Sequence, residues 1–338
     1  MSAQLILSPN NHQKNKSKTI ILREKISGDS IFKSFLGFTA FLILILIGLM
    51  VIILFLESSL SIDTYGLEFL WGTKWDPTPA NPSNPPVFGV LPPLLGTLVS
   101  SLLAILISFP LSIGIALTLS EFTSKKFNFW VSFLVELLAA IPSVIYGLWG
   151  IFTLIPFLTK NIYPVIQNIF GFIPFLQGQG ASHGYNLLTG SIILSIMITP
   201  TITAISRDIF AAVPNSQREA IIALGATKWE SAKIVRKYGR SGVIGAVILG
   251  LGRAIGETMA VTMVIGNSFN LFNSLFDPSY TLASLIANEF TEASSPAVYL
   301  SALIEVGLVL MILALIVNIT ARLIIRSTTR KFRGVETF

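Results

Sequence analysis

The sequence predicts an all-α, polytopic membrane protein with six transmembrane helices and both termini in the cytoplasm. Three observations predict it. Apolar residues make up 52% of the 338-residue chain and charged residues only 12%, with a mean hydropathy of +0.74, so there are too few charges to cover a water-exposed surface of this size. Six apolar runs are each long enough to cross roughly 30 Å of hydrocarbon at about 1.5 Å per residue. Lysine and arginine gather on alternate connections between those runs, as cytoplasmic segments do. The same composition excludes other classes. There is no cysteine, which removes disulfides, zinc–thiolate sites, Fe–S clusters and thiol catalysis. His12 and His183 lie far apart, so neither a metal site nor a cofactor is expected. The formal charge of +6 sits on membrane-flanking residues rather than in a patch interleaved with aromatics, which argues against nucleic acid and for a lipid bilayer as the partner.

Residues 1–34 are a polar arm carrying Lys14, Lys16, Lys18, Arg23, Lys25 and Lys33, read as cytoplasmic. The first span, Phe35–Leu56, exceeds the roughly 7–15 residues of a secretory h-region and follows a long arm, so it is read as an uncleaved helix. The connection Glu57–Val90 holds Trp71, Trp75, Asp76 and five prolines (Pro77, Pro79, Pro82, Pro85, Pro86). It is too long for a turn and too proline-rich for a long helix. The second span is Leu91–Leu119, followed by Lys125 and Lys126; the third is Phe129–Ile155. The aromatic, glycine-rich connection Ile155–Asn186 has room for a short interfacial helix. The fourth span is Leu187–Phe210, the fifth Val243–Ile265 and the sixth Ala297–Ile325. Pro110, Pro142 and Pro200 fall inside these runs, where membrane helices kink rather than end. Arg322, Arg326, Arg330, Lys331 and Arg333 close the last span and the tail, whereas the three opposite connections hold only Lys74 and Lys160. The chain thus divides into the arm, a transmembrane domain over 35–326 and a cytoplasmic tail over 327–338.

The connection over 213–240 carries most of the sequence's information about a soluble partner. Ser216-Gln217-Arg218-Glu219 fits a capping box, with Ser216 as N-cap and Glu219 at N3. The apolar-rich run Ala220-Ile221-Ile222-Ala223-Leu224 follows, and Gly225 supplies the stop. Thr227-Lys228-Trp229-Glu230 is a second capping box, opening a helix that ends near Gly239. One reading is an ordinary helical connector between two spans. The other is a docking knob, whose apolar positions have neither lipid nor a local core to face and are buried by a partner's groove.

Four charged residues fall inside the spans: Glu136, Arg253, Glu257 and Glu305. Each costs about 2.5–3.5 kcal/mol at mid-bilayer on translocon scales, so such residues face a bundle interior or a water-filled path. Arg253 and Glu257 are four apart on the fifth run, on one helix face, and can pair. Gly250, Gly252 and Gly256 thin the helix beside them. The pair fits two roles. It is either a structural ion pair that neutralises itself, or an anion site in which the arginine fork meets a tetrahedral oxyanion and Glu257 accepts from its protonated oxygen.

Glu219-Ala220 with Gly225 six residues after the glutamate resembles the "EAA" loop of bacterial ABC importer permeases, in which this loop inserts into a nucleotide-binding subunit. Ile221 stands where the second alanine is usual, and Lys237 where a proline often precedes the fifth helix. Gly252-Arg253-Ala254-Ile255-Gly256-Glu257-Thr258-Met259-Ala260-Val261 and Ala140-Ile141-Pro142-Ser143-Val144-Ile145-Tyr146-Gly147-Leu148 resemble signatures of the phosphate ABC importer permeases. Trp75-Asp76-Pro77 and Ala287-Asn288-Glu289-Phe290 are similar to the C-type subunit rather than its A-type paralogue. The resemblance implies a type I ABC importer permease fold in a bacterial inner membrane. It implies ATP-driven phosphate import, with coupling through Glu219, Ala220, Leu224 and Gly225; the cost of charge at their depth and the glycines beside them make Arg253 and Glu257 the candidates to line the phosphate path. It also implies three kinds of partner: a homologous A-type permease, two copies of a cytoplasmic ATPase, and an extracytoplasmic phosphate-binding protein. A permease for another oxyanion is the alternative. The chain has no Gly-x-x-x-x-Gly-Lys-Ser/Thr phosphate loop, so ATP hydrolysis is assigned to a separate subunit. An intramembrane enzyme lacks a catalytic constellation here, and a secondary transporter has no use for an EAA loop.

Overall fold

The computed structural model describes residues 29–78, 84–178, 180, 182–293 and 297–333. Most of the amino-terminal arm, including Lys14 to Lys25, lies outside the described residues, as do Pro79 and Pro82 of the proline-rich connection and the end of the tail. The chain forms two compact units, residues 1–56 and 57–338, each described by itself.

The first unit contributes α1 (Asp29–Glu57). From Phe35 to Leu56 it has no polar face, only isolated small residues such as Thr39, whose hydroxyl donates back to the Phe35 carbonyl at 2.9 Å. A helix apolar on every side suits hydrocarbon rather than a two-sided environment.

The second unit opens with two short helices, α2 (Ser59–Tyr65) and α3 (Glu68–Trp71), and a two-residue antiparallel ladder. In the ladder, β1 (Trp75–Asp76) pairs with β2 (Val87–Phe88), Trp75 opposite Phe88. The prolines between the strands forbid a longer sheet, since each lacks a ladder donor. Next comes α4 (Leu91–Phe122), whose Pro92 and Pro93 fall in the first turn, where N–H groups have no partner in any case. Its last turn, Thr118–Phe122, is a π turn.

The third predicted span is not one helix. The chain runs through α5 (Lys125–Ala140), breaks at Ile141-Pro142 and resumes as α6 (Ser143–Phe170), which contains two π turns. Pro142 forces its predecessor out of the helical region, and Ile141 is extended at ψ 131°. Here the proline ends a helix that the sequence reading had only kinked. The last part of α6, Tyr163–Phe170, takes up the place of the expected interfacial helix.

Then follow α7 (Leu187–Ala211), α8 (Asn215–Ala223), α9 (Lys228–Tyr238) and α10 (Arg240–Gly256). The fifth predicted span is also broken. α10 stops at Gly256 after 17 residues, roughly 25 Å of rise. Glu257 is extended, and the single turn α11 (Met259–Thr262) follows. The connection after it contains α12 (Leu282–Glu289), which the sequence reading did not place, capped by Thr281. α13 (Ala297–Arg333) closes the described chain. Among the described residues, five helices (α1, α4, α6, α7 and α13) are long and apolar enough to cross a membrane, and the fifth predicted span is the 17-residue α10 with the break that follows it.

The core of the second unit is built on α4 and α7. Thr97, Ser101, Ala104, Ser108 and Ser112 recur at three- and four-residue spacing on α4 and are all buried. Small residues on one face let two membrane helices approach closely, where packing and interhelical hydrogen bonds replace the hydrophobic drive. α7 fills that face with Ile193, Leu194, Met197, Ile198 and Ile202, and the Ser112 hydroxyl donates to the Thr199 carbonyl at 3.2 Å. α10 packs against both α7 and α4, with Gly250 against Ile202 and near Ile105. Asn186 caps α7 by accepting from the Thr189 amide at 2.8 Å, and the buried Tyr163 hydroxyl joins the same network, tying α6 to α7.

Candidate functional site

Arg253 and Glu257 do not pair. With α10 ending at Gly256, the four-residue spacing no longer puts them on one face. The Glu257 carboxylate instead accepts from the Ala260 amide at 3.3 Å, capping the turn that follows the break. Arg253 Nη1 donates to the Thr201 hydroxyl of α7 at 3.2 Å, and among the described residues Arg253 makes no ion pair. A guanidinium carries five N–H donors, so one hydroxyl leaves most of the fork unspent. A Cβ on Gly252 or on Gly256 would meet no atom within 4 Å, so both sides of Arg253 along the helix are open. The helices that resume after the two breaks, α6 and α11, pack against each other, with Gly147 against Ala260. A half-spent arginine fork among open backbone is suited to hold a tetrahedral oxyanion.

The other two carboxylates that the sequence reading put inside spans are placed differently. Glu136 of α5 pairs with Arg207 of α7 at 3.0 Å, and Arg207 also holds Asp208 at 2.7 Å. Glu305 of α13 is buried, with one carboxylate oxygen lacking a hydrogen-bond partner among the described residues.

At the far end of α7, the segment from Pro214 to Gly239 folds as two helices, α8 and α9. The first capping box does not form. α8 begins at Asn215 behind Pro214, and Ser216 makes no cap. With the rigid Pro214 at ψ 137° in the cap position, the helix starts two residues before a cap at Ser216 would start it. The stop at Gly225 does form. Gly225 takes φ +85°, its amide donates to the Ile222 carbonyl at 2.9 Å and the Ala226 amide to the Ile221 carbonyl at 3.3 Å, a Schellman ending. The second capping box also forms: the Thr227 amide donates to Glu230 at 2.7 Å and the Glu230 amide to the Thr227 hydroxyl at 3.3 Å. The Thr227 amide first, and then the Thr227 hydroxyl at 2.9 Å, donate to the Glu230 carboxylate and hold its carboxyl below its ordinary value. α9 ends at Tyr238, and the single residue Gly239, itself in the right-handed helical region, separates it from α10.

Glu219, Ala220, Leu224 and Gly225 are all exposed. Leu224 is 89% exposed and Ile222 52%, and no residue of α8 is buried. The Glu219 side chain has no partner among the described residues. An exposed apolar knob with a free carboxylate is suited to burial by another protein's groove.

Two contacts were not found from the sequence. Thr201 carries no charge or motif, and only folding brings it to Arg253. Arg218 and Glu121 form a buried pair at 2.9 Å. A signal for that pair was present, since Glu121 is a lone acidic residue at the lysine-flanked end of its span.

A family model described as "Binding-protein-dependent transport system inner membrane component" matches residues 108–330. The chain is 42% identical over 309 residues to the "Phosphate transport system permease protein PstC" of Mesorhizobium japonicum, covering 90% of this chain and 92% of that protein. It is 42% identical over 297 residues to the protein of the same name from Pasteurella multocida, covering 87% and 90%. Among solved structures it is similar to an inward-facing MetNI methionine ABC transporter, with a TM-score of 0.49 and 17% identity, covering 69% of this chain and 93% of that one.

Proposed function

The chain belongs to the family of binding-protein-dependent transport system inner membrane components, and on that premise we propose that it is the permease subunit of an ATP-driven importer that moves inorganic phosphate across a bacterial inner membrane. The observation that carries this reading is its likeness, over nearly its whole length, to proteins named phosphate transport permeases. The site supports it: Arg253 presents an unneutralised fork to an open side of α10, as an oxyanion path requires. The exposed α8 supports docking to an ATPase subunit, which would make 213–240 cytoplasmic; the six-span reading, in which α10 crosses as well, places both termini on that same side. A homologous A-type permease, a second ATPase copy and an extracytoplasmic phosphate-binding protein complete the proposed complex.

The test is uptake of labelled phosphate by vesicles holding the complex purified on this chain. Uptake should require ATP and be unaffected by excess sulfate. Arg253→Gln should assemble fully and abolish uptake, and Arg253→Gln/Glu257→Gln should not recover it. Recovery in the double variant counts against a direct role for Arg253, and competition by sulfate points to a permease for another oxyanion.

A further inference from the structure

We propose that Arg218 is a positioning residue that locks α8 to α4 and α7, so that a push on α8 moves both spans as one body. This rests on the reading of α8 as the docking helix. α8 buries none of its residues, so no packed face holds it in place. Beyond it, Gly225 in its left-handed conformation turns the chain away into α9. What ties α8 to the membrane helices is the Arg218 fork. Nε donates to Glu121 Oε2 at 3.1 Å and Nη2 to Glu121 Oε1 at 2.9 Å, reaching the π turn that ends α4. Nη2 also donates to the Phe210 carbonyl at 2.7 Å, in the last turn of α7. Nη1 donates to the Val213 carbonyl and to Asn215 Oδ1, the latter at 3.3 Å. All five N–H groups are used, and the side chains of Arg218 and Glu121 are only 17% and 8% exposed. Bidentate and desolvated, this contact has the geometric rigidity of the strongest class of hydrogen bond. Ser120 donates to Glu121 Oε1 at 2.8 Å and fixes the carboxylate in turn. The same α7 that Arg218 grips at Phe210 carries Thr201 against Arg253, nine residues or about 14 Å along the helix. One rigid helix therefore joins the docking side to the proposed phosphate path.

The absence of cysteine makes the test clean. In the assembled complex in vesicles, the readout is phosphate moved per ATP hydrolysed, which a contact that merely supports folding would not change once assembly is matched. Glu121→Cys/Arg218→Cys should keep the ATPase bound but lower this ratio by about tenfold or more. Bridging the two thiols with a short bis-maleimide should restore most of it. Arg218→Lys keeps the charge without the fork and should also lower the ratio, and it carries the test if the cysteine pair fails to assemble. A normal ratio in either variant, or a bridged protein that stays uncoupled, overturns the proposal. Leu224→Asp tests the underlying reading separately. If that variant keeps its ATPase, α8 is not the docking helix; if it loses the ATPase while the Arg218 variants stay coupled, only the role of Arg218 fails.

Discussion

Gly147 of α6 lies directly against Ala260 of α11: a Cβ on Gly147 would stand 3.2 Å from the Ala260 Cα. This contact joins the two stretches, 140–148 and 252–261, that carry the family resemblance. Each contains a helix break, at Pro142 and at Glu257, and the absence of a side chain at Gly147 lets the helices that follow the two breaks approach closely.

Gly147→Ala should therefore destabilise the protein by about 1–3 kcal/mol through overpacking. The new methyl would also fall 2.6 Å from Met263 Sδ, a flexible chain end, but the Ala260 backbone has little room to yield. Gly147→Ala/Met263→Ala should recover part of the loss. Thermal unfolding of the purified protein in detergent measures both, and a Gly147→Ala variant as stable as the parent would show that the contact is looser than described.

Because Glu257 caps α11 rather than facing Arg253, the two residues should behave independently. Arg253→Gln and Glu257→Gln should change unfolding free energy additively within about 0.5 kcal/mol. Arg253→Gln and Thr201→Val share a hydrogen bond and should couple by more than that amount. A large coupling in the first double-mutant cycle would restore the ion pair that the sequence spacing suggested.

Gly225→Ala should open the end of α8 without any steric clash, since its Cβ would meet no atom within 4 Å. The cost is conformational, about 1–2 kcal/mol for an L side chain at φ +85°. Amide hydrogen exchange at Gly225 and Ala226, whose N–H groups close the Schellman ending, should accelerate. Gly225→Asn should accelerate it less, because asparagine tolerates that region. Equal exchange in both variants would place the constraint elsewhere.

Glu230 should titrate below the ordinary glutamate value of about 4.3, since the Thr227 amide and hydroxyl both bind its ionised form. A lowered folded pKa gives stability that is present above the unfolded value and lost as pH falls through the folded one. The first turn of α9 should therefore stay intact at neutral pH and fray only in acid. Thr227→Val should raise the Glu230 titration part of the way, as the backbone donor remains. Side-chain carbon chemical shifts of labelled protein follow it, and an unchanged titration in Thr227→Val would mean that the hydroxyl contributes nothing.

The sequence by itself determined the class of this protein and the local chemistry of its helix ends. Charge scarcity and long apolar runs depend only on composition and length, so α1, α4, α7 and α13 lie close to where hydropathy placed them. The Thr227–Glu230 box and the Gly225 stop are local hydrogen-bond patterns within a few residues, and both formed as written. Tertiary structure decided what depends on partners distant in sequence. Whether Pro142 kinks or ends a helix turns on what lies against the break, and here α11 and α7 pack against the new helix that starts there. Whether Arg253 meets Glu257 depended on the helix reaching Glu257, and it stops one residue short. Thr201 and Glu121 entered the two candidate sites across 52 and 97 residues of sequence. Periodicity cannot signal such contacts, because it reports only which residues share a face and not which other helix that face will meet.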